Sequence, residues 1–301
     1  MFAEVGVHLE MKLGIIGNGF VGNAIAHAFI PCMEVKIHDK NEERSYNSLE
    51  EVVNDSDVVF VSVPTPMTMD GIIDLSIVED VFVNISKCLQ KEDTVFVLKS
   101  TVVPGTTRKL KQKYPKLSIV FNPEFLTERH ARFDFLNQSR IILGFETDLD
   151  DSNNNLASSK IKKLYDYRFS GNSFVTTNYE TAEMIKYFNN LFFAVKVSFM
   201  NEMKLVSEKV PQINWDKAVR GFVMDGRVGD SHLQVPGPDG KKGFGGSCFP
   251  KDINAFMTYA KSIGLDLNVL NGAWETNLYV RPEKDWENLK GRAVSSKGET
   301  Q

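Results

Sequence analysis

The strongest constraint on this chain lies near its start. A short apolar run at 12–16 leads into Gly17-Asn18-Gly19-Phe20-Val21-Gly22. An apolar, helix-compatible stretch from Asn23 to Ile30 follows, and 34–39 then alternates like a strand and ends on Asp39. The order is strand, glycine turn, helix, strand. Within it each glycine has a reason. Gly17 permits a tight turn, Gly19 offers no side chain to obstruct a pyrophosphate, and Gly22 lets helix and strand pack closely. The helix N-terminus adds unpaired N–H donors and partial positive charge. Asp39 is placed to accept from both hydroxyls of a ribose, which favours NAD over NADP, and Lys40 beside it weakens that preference slightly. The competing reading is a glycine turn of an unrelated α/β protein, with Asp39 a solvated strand end.

Further strands are expected at Val58–Val63, Thr94–Leu98, Ser118–Phe121 and Arg140–Phe145, with helix-compatible segments between them at 76–90 and 105–113. Short β-rich runs alternating with helices imply an α/β fold with a parallel, Rossmann-like sheet covered on both faces. In such sheets ligands bind beyond the carboxyl ends of the strands. Val63-Pro64-Thr65-Pro66 and the segment from Lys99 through Ser100 and Thr101 to Gly105 fall there, although each alone also reads as plain turn chemistry. Residues 148–159 read as a polar surface loop, and Phe174–Thr176 as strand-like.

From Tyr179 the character changes. Residues 179–209 contain no Gly or Pro and are apolar on most faces. As one helix they would extend about 46 Å, long enough to lie buried between two domains or two subunits. Pro211 ends the run, 225–250 is rich in Gly and Pro, and 250–264 is helical again. The expected organisation is a sheet domain over 1–177, a helical domain over 178–280 and a polar, loosely held tail over 281–301. A length of 301 residues agrees with about two domains.

Composition narrows the function classes. The net charge of −4 gives no general reason to bind nucleic acid or an anionic membrane, so an anionic ligand needs a local site. No apolar run approaches the length of a membrane-spanning helix, and the first ten residues lack a basic leader. Three scattered cysteines, Cys32, Cys88 and Cys248, suit a reducing compartment and hence the cytosol. The five histidines show no ligand spacing, so no metal is expected.

The most informative run is Gly243-Phe244-Gly245-Gly246-Ser247-Cys248-Phe249-Pro250-Lys251-Asp252. Cys248 lies after a glycine-rich loop and before a helix starting near Pro250, where a thiolate costs less to form. The glycines would let a substrate approach the backbone. Asp252, four residues on, shares its side of a helical turn. Cys32 and Cys88 lie in apolar helical stretches and read as small buried hydrophobes. Lys186 and Asn190 are i and i+4 on the long helix and need partners if buried; the bland alternative is a snorkelling lysine and a water-bonded amide. Glu124 and Glu128, in Asn122-Pro123-Glu124-Phe125-Leu126-Thr127-Glu128, either face one site at i and i+4 or form an acidic first helical turn.

Taken in order, Gly17-x-Gly19-x-x-Gly22, Val63-Pro-Thr-Pro66, Ser100-Thr101-Val-x-Pro-Gly105, Asn122-Pro-Glu-Phe-Leu126, Lys186-x-x-x-Asn190, Asn201-Glu202 and the Cys248 run resemble the UDP-glucose/GDP-mannose dehydrogenase family over about residues 11–280. The resemblance implies a Rossmann-like NAD domain, a long central helix and a helical dimerisation domain. It implies NAD-dependent, four-electron oxidation of a nucleotide sugar, UDP-glucose or GDP-mannose, to its uronate through a thiohemiacetal and a thioester on Cys248. Lys186 would stabilise alkoxide charge, while Asn190, Asp252, Thr101 and Glu128 would position or activate water. Glu124, Phe125, Leu126, Phe244, Gly245 and Gly246 would border the sugar nucleotide. The turn at 17–22, Asp39, Lys40, Val63, Pro64, Thr65, Ser100, Thr101, Glu128 and Lys251 would hold the cofactor. Arg227 resembles an arginine lent to the partner subunit's substrate, in a homodimer built on the 178–209 helix. Family members continue into a further nucleotide-binding domain, whose first strand would begin near Leu289–Val294, where this sequence nears its end. Gly226 stands where the family commonly has Pro. Two other readings stay open: a two-electron β-hydroxyacid-type dehydrogenase, and a catalytically impaired NAD-binding partner subunit.

Overall fold

The computed structural model describes residues 9–147, 155–169 and 171–296. The chain divides into two compact units. The first comprises residues up to Thr65 and Leu75–Lys186, and the second Pro66–Asp74 and the residues from Tyr187 onward.

The first unit is built on seven strands: β1 (Leu13–Ile16), β2 (Val35–His38), β3 (Val58–Val61), β4 (Val95–Leu98), β5 (Ser118–Phe121), β6 (Arg140–Phe145) and β7 (Ser173–Asn178). Their order across the sheet is β2-β1-β3-β4-β5-β6-β7. The first five run parallel, with Leu13 opposite both Val35 and Val58, and Val58 opposite Val95. The expected parallel, Rossmann-like sheet forms over β1–β5; beyond it β6 pairs antiparallel with β5, and β7 runs parallel to β6. Alternation decides which side chain goes to which layer. Leu13, Ile15, Phe60 and Val97 pack with Phe29, Phe135, Leu164 and Tyr165 from α1 (Phe20–Phe29), α5 (Ala131–Leu136) and α6 (Leu156–Arg168). Val59, Val61, Phe96 and Leu98 pack on the other face with Val52, Phe82 and Leu110, from α2 (Leu49–Asp55), α3 (Ser76–Cys88) and α4 (Thr106–Lys113). Because β1, β3 and β4 are buried at every position, they read as continuous apolar runs. Of the expected loop at 148–159, residues 148–154 lie outside the described residues, and α6 already begins at Leu156, capped by the Asn155 side chain.

The helix predicted over 179–209 forms as α7 (Tyr179–Lys209), 31 residues long. In the second unit α8 (Trp215–Val223), α9 (Phe249–Ser262) and α10 (Asn268–Val280) accompany its C-terminal part. Among the described residues no helix is long and apolar enough to cross a membrane.

The tail departs from expectation. Trp286 is 1% exposed and packs with Met67, Ala293, Val294 and Trp274. Met67 N–H donates to Ala293 C=O at 2.9 Å, and Ser295 N–H returns to Met67 C=O at 2.7 Å. Trp286, Ala293 and Val294 therefore join the second unit's core and tie 281–295 down, because a few apolar side chains in a polar segment find a mate in 66–74. Trp286→Ala is expected to cost about 3–5 kcal/mol of stability, the usual range for emptying a buried aromatic site. Denaturant unfolding of wild type and variant measures it, and an unchanged midpoint would mean the segment is peripheral.

Candidate functional site

In the first unit the glycine turn and the loops after β3 and β4 stand at the carboxyl ends of their strands. The order β2-β1-β3 puts the turn after β1 at the topological switch point. A Cβ on Gly22 would lie 1.9 Å from Gly17 C=O, so only glycine allows this helix to start where it does. Gly17 has φ +92°, and a Cβ there would lie 2.6 Å from Ser62 C=O. Gly19 is different: a Cβ would meet nothing within 4 Å, and no side chain caps the N-terminus of α1. Asp39 reaches the turn, accepting from Asn18 N–H at 2.6 Å and from Asn41 N–H at 2.8 Å. Asn18 Oδ1 is buried and has no partner among the described residues. Open space at Gly19, uncapped N–H groups and a carboxylate against the turn fit the pyrophosphate and ribose of a dinucleotide. Lys40 is exposed, and Phe20 and Val21 are half-buried.

The next two loops are tied together. Ser100 Oγ donates to Val63 C=O at 2.7 Å and accepts from Val63 N–H at 3.1 Å. Thr65 Oγ1 donates to Thr101 C=O at 2.8 Å. Pro64 is exposed, while Thr65, Ser100 and Thr101 are buried.

Residues 122–127 form no helix, so Glu124 and Glu128 do not share a helical face as the i, i+4 spacing suggested. Glu128 is exposed. Glu124 is buried, and Lys186 Nζ donates to its Oε1 at 2.9 Å and to its C=O at 2.7 Å. Lys186 Nζ also lies 5.6 Å from the centre of the Phe125 ring. The lysine is 3% exposed and does not snorkel. Leu126 N–H donates to Glu124 Oε2 at 2.6 Å, which fixes the carboxylate from its other side.

Two buried ionisable groups here were not singled out from the sequence. Glu183 Oε1 accepts from Thr107 N–H (2.8 Å) and Oγ1 (2.6 Å), and Oε2 accepts from Gly105 N–H at 2.6 Å. Burial pushes its carboxyl up to about 7, against those hydrogen bonds. Lys99 follows β4 directly, is 2% exposed, and donates to Asn122 Oδ1 at 2.9 Å. The same oxygen accepts from Tyr165 Oη at 2.6 Å. Burial pulls the Lys99 ammonium down to about 7.

The second unit carries the cysteine. Cys248 is the N-cap residue of α9, with Pro250 in the first turn, and is half-buried with Ser247 Oγ 3.8 Å from its sulfur. Asp252 N–H donates to Cys248 C=O at 2.8 Å. The Asp252 carboxylate is 1% exposed; Asn190 Nδ2 donates to Oδ2 at 2.6 Å, and Lys251 Nζ to Oδ1. Thus Lys251 lies buried in an ion pair with Asp252. Phe244 is buried, Gly245 half-buried and Gly246 exposed. The Arg227 side chain is 90% exposed and paired only with Asp225 of its own turn among the described residues. Cys32 and Cys88 donate to helix carbonyls, and burial pushes both thiols up, as suits unreactive packing cysteines.

Comparison with known proteins agrees with this layout. Residues 33–168 match the NAD binding domain of the UDP-glucose/GDP-mannose dehydrogenase family, and residues 180–279 match its central domain. A UDP-glucose 6-dehydrogenase of Rickettsia prowazekii is 37% identical over 73% of this chain and 49% of its own length. One from Bacillus subtilis is 30% identical over 88% of this chain and 62% of its own. A structure of a UDP-glucose dehydrogenase from Pyrobaculum islandicum superposes with TM-score 0.76 at 26% identity, covering 93% of this chain and 70% of that one. The fold is that of the NAD-binding and central domains of this dehydrogenase family. The chain belongs to the UDP-glucose/GDP-mannose dehydrogenase family, and it spans about half the length of the Rickettsia relative it matches.

Lys99 yields a pH prediction. Its folded-state value lies below its unfolded one, so between about pH 7 and pH 10 the unfolded chain binds more protons and stability rises with pH. Lys99→Met is expected to flatten that rise, as read from unfolding free energies across the window. An unchanged slope would mean that Lys99 keeps an ordinary ammonium.

Proposed function

We propose that this chain oxidises the primary alcohol of a nucleotide sugar, UDP-glucose first among candidates, to the carboxylate, with Cys248 as covalent nucleophile. The observation that carries the reading is a half-buried cysteine at the N-cap of α9, one turn before a buried Lys251–Asp252–Asn190 set, in a chain with the family's NAD-binding domain. NAD would supply the hydride acceptor for two successive oxidations, one molecule for each. The glycine turn and Asp39 would hold its pyrophosphate and ribose, and the loops around Thr65 and Thr101 would border it.

The chain's own groups would do the rest. Lys186 would stabilise negative charge on the substrate oxygen as its proton passes to water and the carbon gives up a hydride to the oxidant, leaving the aldehyde, with Glu124 and Phe125 holding the ammonium in place. The Cys248 thiolate adds to the aldehyde carbon, and the carbonyl oxygen takes up a proton to give a thiohemiacetal. Loss of a hydride and a proton converts that adduct to a thioester. Water then attacks the thioester carbon, the carbon–sulfur bond breaks, and acid and free thiol are released. Asp252, oriented by Asn190 and Lys251, is the group assigned to the water's proton, with Thr101 and Glu128 as further positioning groups.

Two moles of NADH per mole of UDP-glucose, and none to the acid level with Cys248→Ala, are expected in a coupled absorbance and product assay. One NADH per sugar would favour a two-electron enzyme, and persistence of acid formation in the variant would remove Cys248 from the mechanism.

Homodimerisation through α7 belongs to the same reading. Phe188, Phe192, Phe199, Met203 and Val206 are exposed at helical spacing along α7, and α8 has no buried residue. A solvated face of this kind is unusual. In such a dimer the exposed Arg227 is the group that the family resemblance assigns to the partner's substrate. Phe192→Glu is expected to convert a dimer to monomer by light scattering, whereas a wild-type monomer would contradict this part.

A further inference from the structure

The glycine-rich segment ahead of Cys248 is held by three side chains that lie outside it. Gly243 N–H donates to Asn201 Oδ1 at 3.1 Å. One amide then grips both backbone groups of Phe244: its N–H donates to Asn277 Oδ1 at 2.7 Å, and its C=O accepts from Asn277 Nδ2 at 3.0 Å. Asn277 is fully buried, so these bonds face no competition from water. Arg281 stands one helical turn further on, 2% exposed, its guanidinium held by Asp239 at 2.7 Å and by Asp285 at 2.6 and 2.8 Å.

These partners account for the glycines. A Cβ on Gly243 would lie 2.4 Å from Asn277 Oδ1, and one on Gly245 would lie 2.4–2.8 Å from three atoms of the Arg281 guanidinium. Both opposing groups are locked by their own bonds and cannot swing aside. At Gly246 a Cβ would meet nothing within 4 Å. So two of the three glycines answer to Asn277 and Arg281 rather than to an approaching substrate. Beyond the segment, the chain is fixed again where Cys248 C=O accepts from Asp252 N–H.

We infer that Asn277 and Arg281 are positioning residues for Cys248. They set the backbone path at Phe244 and Gly245, α9 sets it after Cys248, and the two fixings together determine where the sulfur stands at the helix N-terminus. This rests on reading Cys248 as the nucleophile, but its physical content is the reactivity of the thiol and needs no substrate.

The test uses the full chain. Alkylation of Cys248 by iodoacetamide is followed by peptide mass spectrometry from about pH 6 to pH 9, with Cys32 and Cys88 in the same sample as internal references. Asn277→Ala and Gly245→Ala are expected to change the Cys248 rate at neutral pH by about fivefold or more and to displace the midpoint of its pH profile, with the other two thiols within about twofold of wild type. Arg281→Lys keeps a cation for Asp239 and Asp285 but loses the bidentate hold on Asp285, so it is expected to shift the Cys248 profile less than Gly245→Ala does. Added to Gly245→Ala, it should restore part of the lost behaviour, since a flexible ammonium yields to the new methyl. If Asn277→Ala does not fold, the Gly245 pair decides. Cys248 profiles in the folded variants that coincide with wild type would overturn the inference. Shifted profiles in a chain that oxidises no nucleotide sugar would retain the positioning role and reject the nucleophile. Unshifted profiles in a chain that needs Cys248 for turnover would do the reverse.

Discussion

A long helix that buries polar side chains must find each of them a partner, and α7 does so at four places that matter. Glu183 takes the N–H groups of Gly105 and Thr107, Lys186 takes Glu124, Asn190 takes Asp252, and Asn201 takes Gly243 N–H. An unmatched amide or charge at such depth would cost more than one average hydrogen bond returns. Each match therefore fixes a loop to the helix: the turn before α4, the segment after β5, the first turn of α9, and the glycine-rich run ahead of Cys248. Within each unit the helix acts as a template for that unit's own loops, through Glu183 and Lys186 in the first and through Asn190 and Asn201 in the second.

The charged pairs on this template differ in kind from surface ion pairs. Lys186–Glu124 and Lys251–Asp252 are almost fully buried, with side-chain exposures of 3% and 7%, and 8% and 1%. Buried pairs add little net stability, because desolvation offsets attraction, but breaking one strands a charge. Arg281 obeys the same rule with two carboxylates and spends its planar face against a glycine.

Much of this was legible in the residues. Buried strands write themselves as Val/Ile/Phe runs, so β1, β3, β4 and β5 stand where the sequence put them, with β3 ending at Val61, two residues short of the expected Val63. The glycine turn was readable because Gly17 and Gly22 are sterically compelled. What escaped has physical causes. The reversal at β6 arises because 122–139 returns at the end of the sheet where β5 finishes, and an apolar run carries no sign of its direction. Glu124 and Glu128 looked like helical neighbours because spacing says nothing about whether a helix forms. Lys99 and Glu183 were hidden since a charged residue is normally a solvated one, and only their tertiary partners reveal otherwise. The tail at 281–295 reads as loosely held because one tryptophan in a polar stretch weighs little in an average, yet Trp286 anchors it. The glycines at 243 and 245 were attributed to a substrate, whereas Asn277 and Arg281 already fill the space.

Covalent oxidation at Cys248 requires a sulfur–carbon bond to the substrate. Acid quenching of the chain during turnover with NAD and UDP-glucose, followed by peptide mass spectrometry, tests it without relying on rates. A Cys248 peptide carrying the mass of the uronyl nucleotide, and no such adduct on Cys32 or Cys88, is the predicted result. Turnover to the acid with every cysteine peptide unmodified at all quench times would contradict it.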